Sequence, residues 1–119
     1  MPAINFSNQF FEKIQSGAKT QTIRKVRTDG RPHCRVGDVI SLYTGMRTKQ
    51  CQLIALAKVK ETRSVIISDG SIYSDGEIED HLAFAQSDGF DSVAEFNKWF
   101  ADHYGLPFHG VLIKWELKK

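Results

Sequence analysis

Cysteine is scarce. Cys34 and Cys51 are the only two in 119 residues, and they form no Cys-x-x-Cys pair. That excludes a disulfide framework, and two unpaired thiols suit a reduced, cytoplasmic setting. Long apolar runs are missing as well. The longest, Leu53 to Ala57, closes at Lys58, far short of the roughly 20 residues a spanning helix needs. No membrane partner is therefore expected. The N-terminus lacks a basic region followed by an apolar one, so no secretory leader is expected either. There are only three prolines, and no repeats, linkers or low-complexity tracts. Residues 1–119 read as a single domain with one core, and a monomer is the favoured state. An apolar content of 41% with 25% charged residues excludes a disordered chain.

Acidic residues are scarce in the first half only. Residues 1–60 hold 11 Lys/Arg and 3 Asp/Glu, a net of +8, whereas 61–119 hold 5 and 11, a net of −6. Lys25, Arg27, Arg31 and Arg35, with Arg47 and Lys49 further on, are candidate contacts to a polyanion such as single-stranded RNA. The alternative is that the two halves neutralise each other in the fold.

Taken in order, Ile4 to Phe6 suits a short edge strand. Ser7 then suits a helix N-cap, with Phe6 and Phe11 as a hydrophobic staple. Phe10, Phe11 and Ile14 form a helical apolar face, and Gly17 is a C-terminal stop. Strands are predicted from about Lys19 to Val26, over Val39 to Tyr43, and over Cys51 to Thr62. The apolar centre of the last suggests burial on both faces. Asp69-Gly70 is the strongest hairpin signal, between Val65–Ser68 and Ser71–Ser74. A helix is predicted over Glu77 to Ala85. Ser92 and Glu95 form a capping box for a second one to about Tyr104, with Val93, Phe96, Trp99 and Phe100 buried. A closing strand alternates Val111, Ile113, Trp115 and Leu117 against Lys114, Glu116 and Lys118. The class is α+β, with a small, curved or closed sheet of five to six strands and two to three peripheral helices.

The most informative stretch is Gly17-Ala-Lys-Thr-Gln-Thr-Ile-Arg24, where a glycine releases a short helix into an extended, β-branched run. Gly17-x-Lys19-x-x-Thr22-x-Arg24 resembles the signature of the ASCH domains of the PUA-like superfamily, usually Gly-x-Lys-x-x-Glu-x-Arg. The resemblance spans nearly the whole chain and implies a small PUA-like β-barrel. Thr22 stands where the family's glutamate usually does. In its Lys-Thr-x-Thr-Ile-Arg run the chain is most similar to the N(4)-acetylcytidine amidohydrolases, whose triad is a lysine, a threonine and a downstream glutamate. That implies catalytic roles for Lys19, Thr22 and Asp88, the last one methylene shorter than the glutamate. The stretch from Tyr43 to Cys51 resembles a separate ASCH subgroup instead.

The residue types fit such chemistry. A threonine hydroxyl attacks only when a base takes its proton, and a lysine does so once burial or nearby cations lower its pKa. No metal or other cofactor is required. Spacing sets a condition, because residues three apart in a regular strand face opposite ways. Lys19 must therefore belong to the corner after Gly17, with the strand starting later. Thr20, Arg24, Tyr43 and Phe90 are candidate substrate contacts. Tyr43, beside Thr44-Gly45, is the better stacking candidate, while Tyr104 reads as core or helix end. His33, Cys34 and Cys51 lack paired-ligand spacing for a metal. Exposure is the simpler reading of His103 and His109, with an acid–base pair for RNA cleavage as the alternative. Three functions stay open: an amidohydrolase on a modified cytidine, a non-catalytic RNA-binding module, and a metal-dependent ribonuclease.

Overall fold

The computed structural model describes residues 2–68, 71–74, 77–78 and 80–118. Its elements are β1 (Ala3–Phe6), a 3-10 turn (Asn8–Phe10), α1 (Phe11–Ser16), β2 (Gln21–Lys25), β3 (Val39–Thr44) and β4 (Gln52–Ser68). After these come β5 (Ser71–Ser74), β6 (Glu77–Ile78), α2 (His81–Ser87), α3 (Val93–His103) and β7 (Phe108–Leu117). The class is α+β, as the sequence suggests.

Long β4 is the spine of the sheet. Its first half pairs antiparallel with β3, its last four residues pair with β5, and β7 runs along its other side from Ala57 to Ile67. β1 adds parallel to β3, and β2 adds antiparallel to β7. Among the described residues no ladder joins β1 to β2, so the curved sheet stays open there. Arg24 spans that edge, its Nη2 donating to the Asn5 carbonyl at 2.5 Å. Among the described residues the strands number seven, against an expected five to six, because the two-residue β6 adds one.

Several boundaries differ from the sequence reading, each for a local reason. β4 absorbs the run expected as a separate strand at Val65–Ser68. Ile54, Ala57 and Val59 on it are buried, whereas Leu53, Leu56 and Lys58 are exposed. One face therefore meets water, as antiparallel sheets allow. Asp69-Gly70 lies outside the described residues, though the strands flanking it pair as expected. The helix predicted from Glu77 starts at His81. Glu77 and Ile78 pair with β5 instead, and the Asp80 side chain caps the Ala83 N–H at 3.1 Å. Ser7 makes no side-chain cap, because a 3-10 turn intervenes and its carbonyl accepts from Phe10 N–H. Ser92 caps α3 through the Glu95 N–H at 3.1 Å, while Glu95 Oε2 accepts from Asp91 N–H at 3.3 Å. On β7 Leu112 and Ile113 are both buried, which breaks the expected alternation in mid-strand.

The core is rich in rings. Phe84, Phe90, Phe96, Phe100 and Phe108 are linked by contacts of 4.9–6.0 Å, running from α2 across α3 to β7. Aromatic pairs at such offsets add to the burial energy. This layer holds α3 beside the corner after α1.

Candidate functional site

Gly17 ends α1 in the left-handed conformation at φ 87°, a geometry that favours glycine. The chain then turns a corner in which Lys19 N–H donates to the Lys13 carbonyl and Thr20 N–H to that of Ser87, both at 2.9 Å. Regular strand begins only at Gln21. The condition set by the three-residue spacing is met: Lys19 and Thr22 line the same cavity.

That cavity, about 240 Å³, lies between β1, β2, the turn at 88–90 and one face of α3. Lys19 is 2% exposed, Asp88 3% and Thr22 5%. Lys19 Nζ donates to the Asp88 main-chain carbonyl and stands 3.6 Å from Asp88 Oδ1. It also lies 4.6 Å from the Phe10 ring centre, a favourable seat for a cation. Burial lowers Lys19 from 10.5 to about 8; the Asp88 charge opposes this, while Arg24 and Lys13 add to it. Burial likewise raises Asp88 from 3.8 to about 6, against the pull of Lys19. Near neutral pH the two are thus an ion pair, and the amine becomes free within reach of physiological pH.

The turn at 88–90 is held from two sides. Gly89 adopts φ 95°, and a Cβ there would come within 3.0 Å of Lys19 Cδ and 3.1 Å of Phe10 Cδ1. Lys13 on α1 donates to the Gly89 carbonyl at 2.6 Å and pairs with Asp91 at 3.1 Å. Asp88 Oδ1 takes no hydrogen bond, and neither does the buried Arg24 Nε. Both residues line the cavity.

No family model matches this chain, and no curated protein does. A solved structure shares the fold. It is protein EF3133 from Enterococcus faecalis V583, described under the family model DUF984, with a TM-score of 0.63. The match covers 98% of this chain and 80% of that one at 15% identity, so the likeness is one of fold.

Of the residues singled out from the sequence, Lys19, Thr22, Arg24, Asp88 and Phe90 meet at the cavity. Thr20 does not: it is exposed on the other side of the corner, beside Lys60 and Trp115. Tyr43 is half-buried on β3 and lines none of it, whereas Tyr104, expected as core or helix end, does. Lys25, Arg27, Arg31, Arg35, Arg47 and Lys49 are all exposed outside it, Arg27 being paired with Asp29 at 2.8 Å. Cys34 is buried, which pushes its thiol up to about 11, and Cys51 is exposed. Among the described residues no three His, Cys, Asp or Glu side chains gather as metal ligands would. The sequence reading missed the walls formed by Phe6, Phe10, Trp99 and Phe100, and the rim residues Asn5 and Ser7. Helical spacing marks Trp99 and Phe100 as apolar, and it cannot tell a cavity wall from a packed core.

Proposed function

We propose that the cavity binds a modified pyrimidine nucleoside and that the protein is an amidohydrolase removing an acyl group from an N(4)-acetylcytidine-like substrate. One observation carries this reading: a buried lysine–carboxylate pair and a threonine hydroxyl share one aromatic-walled cavity. The resemblance of Gly17 to Arg24 to the ASCH amidohydrolases supports it. So does the size of the cavity, about 240 Å³, which lies just below the usual range of roughly 300–1,000 Å³ for ligand sites and is too small for a polymer.

Neutral Lys19 takes the hydroxyl proton of Thr22 as its Oγ adds to the acyl carbonyl carbon. Collapse of the tetrahedral adduct breaks the bond to the exocyclic nitrogen, which receives that proton from the Lys19 ammonium. Water then cleaves the threonine ester, releasing the acid and restoring the hydroxyl. Asp88 holds the ammonium form that exists between these steps, and the aromatic walls stack on the base.

The test is conversion of N(4)-acetylcytidine to cytidine, followed by chromatography, with Thr22→Ala as control. Wild type is expected to turn over, with a rate that rises as Lys19 deprotonates near pH 8. The variant should keep its fold and lose about 1,000-fold or more in kcat. Full activity in Thr22→Ala would remove the nucleophile, and no product from wild type would remove the substrate. A polyanion held by the six exposed basic residues is read separately, from RNA retention that falls steeply with salt.

A further inference from the structure

The cavity is graded from floor to mouth. The Lys19–Asp88 floor is buried, apolar rings form the walls, and Asn5, Ser7, His103 and Tyr104 are exposed where the cavity opens. Two of these rim groups are fixed. His103 Nδ1 lies 2.7 Å from the Trp99 carbonyl, and its ring stacks on Trp99 at 4.0 Å and 16°. A carbonyl only accepts, so Nδ1 carries the hydrogen and Nε2 of the neutral ring is an acceptor on the opposite edge. Asn5 Oδ1 accepts from the Met46 N–H at 3.0 Å, which leaves its NH2 as a donor. The Ser7 and Tyr104 hydroxyls add groups that both donate and accept.

We propose that this rim, with His103 as its rigid edge, binds the ribose of the ligand and makes the protein choose nucleosides over free bases. The inference rests on the pocket reading above. A sugar with adjacent hydroxyls offers donors and acceptors together, which answers an acceptor at His103 and a donor at Asn5. The same end of a free base offers no hydroxyl to either. His103 touches the end of the ligand remote from the reacting acyl group, so it contributes to binding equally in ground and transition states.

The experiment compares N(4)-acetylcytidine with N(4)-acetylcytosine on wild type, His103→Ala and His103→Gln, with cytidine and cytosine binding followed by NMR titration. His103 is exposed, so both variants should fold as wild type does. His103→Ala should raise KM for the nucleoside, and Kd for cytidine, about tenfold at unchanged kcat, the loss of one hydrogen bond. The effect on either base should stay below about twofold, and His103→Gln, which keeps an acceptor, should recover part of the loss. Equal losses for nucleoside and base, or no loss, would overturn the proposal, as would failure of cytidine to bind. Cytidine binding that depends on His103 without turnover of either acyl substrate would sustain ribose recognition and remove the hydrolase instead.

Discussion

Replacing the buried pair by apolar side chains of similar size, as Lys19→Met with Asp88→Leu, should make the protein more stable while ending turnover. Lys19 falls from 10.5 to about 8 and Asp88 rises from 3.8 to about 6, both chiefly through burial. At about 1.4 kcal/mol per unit, each carries a cost on the order of 3 kcal/mol while charged. For Lys19 the folded value lies below the unfolded one, so the unfolded chain holds the extra proton between about 8 and 10.5. Stability therefore rises with pH across that window. For Asp88 the folded value lies above, so the folded chain holds the extra proton between 3.8 and about 6, and stability falls as pH rises there. The pair thus imposes a stability minimum between about pH 6 and 8. The double variant should exceed wild type by about 1–4 kcal/mol at pH 7, and the gain should shrink on either side. Lys19→Met alone leaves an uncompensated buried carboxylate and should cost about 3–5 kcal/mol at pH 7, less at pH 5. Urea unfolding followed by tryptophan fluorescence at pH 5, 7 and 9.5 reads all of this. A difference between double variant and wild type that is flat with pH would refute the argument.

Gly89→Ala forces a side chain onto Lys19 Cδ and Phe10 at a positive φ. It should cost about 1–3 kcal/mol in thermal unfolding and lower kcat/KM further than the stability loss explains; an unchanged Tm would show that the turn has slack. Lys13→Gln removes a nearby cation that lowers Lys19 and loosens the Gly89 carbonyl. The alkaline rise of the kcat profile should therefore move to higher pH with less activity at pH 7, and a profile that loses height without moving would leave Lys13 a structural role only.

Legibility in the sequence followed the range of the interactions. Gly17 and the Ser92 cap act within a few residues, and each is read from its neighbours. The corner that brings Lys19 to Thr22 depends on where β2 starts, which main-chain bonds from Lys19 to Lys13 and from Thr20 to Ser87 decide. The second of these crosses most of the chain, and so only the condition could be stated beforehand. Aromatic spacing in α3 marks an apolar face, but β1 and the turn at 88–90 decide which rings pack and which line a space. That is why Tyr104 rather than Tyr43 reaches the cavity. The charge asymmetry of the two halves is too coarse to mark out the site, although the basic half holds both Lys19 and Arg24. Its six basic candidates are exposed outside the cavity, whose cations are the buried Lys19 and the half-buried Arg24.

A structural role for the Lys19–Asp88 pair meets an energetic objection. Buried ion pairs contribute little net stability even when fully hydrogen-bonded, and here Asp88 Oδ1 and Arg24 Nε take part in no hydrogen bond. Trp115 Nε1 and Ser74 Oγ are also unbonded, but they are neutral groups, for which the cost is smaller. Asp88 Oδ1 and Arg24 Nε lie together on the cavity, whereas Arg63 Nε, away from it, stands 3.4 Å from Glu61 Oε1. A domain of this length, with a single modest core, gains more from filling that space with methyl groups than from keeping two costly charges beside it. The arrangement makes physical sense if the unbonded atoms are completed by what enters the cavity. The stability given up by the empty protein is then recovered as binding and chemistry. On this argument the double variant's gain in stability and its loss of turnover have one cause, and finding either without the other would separate them.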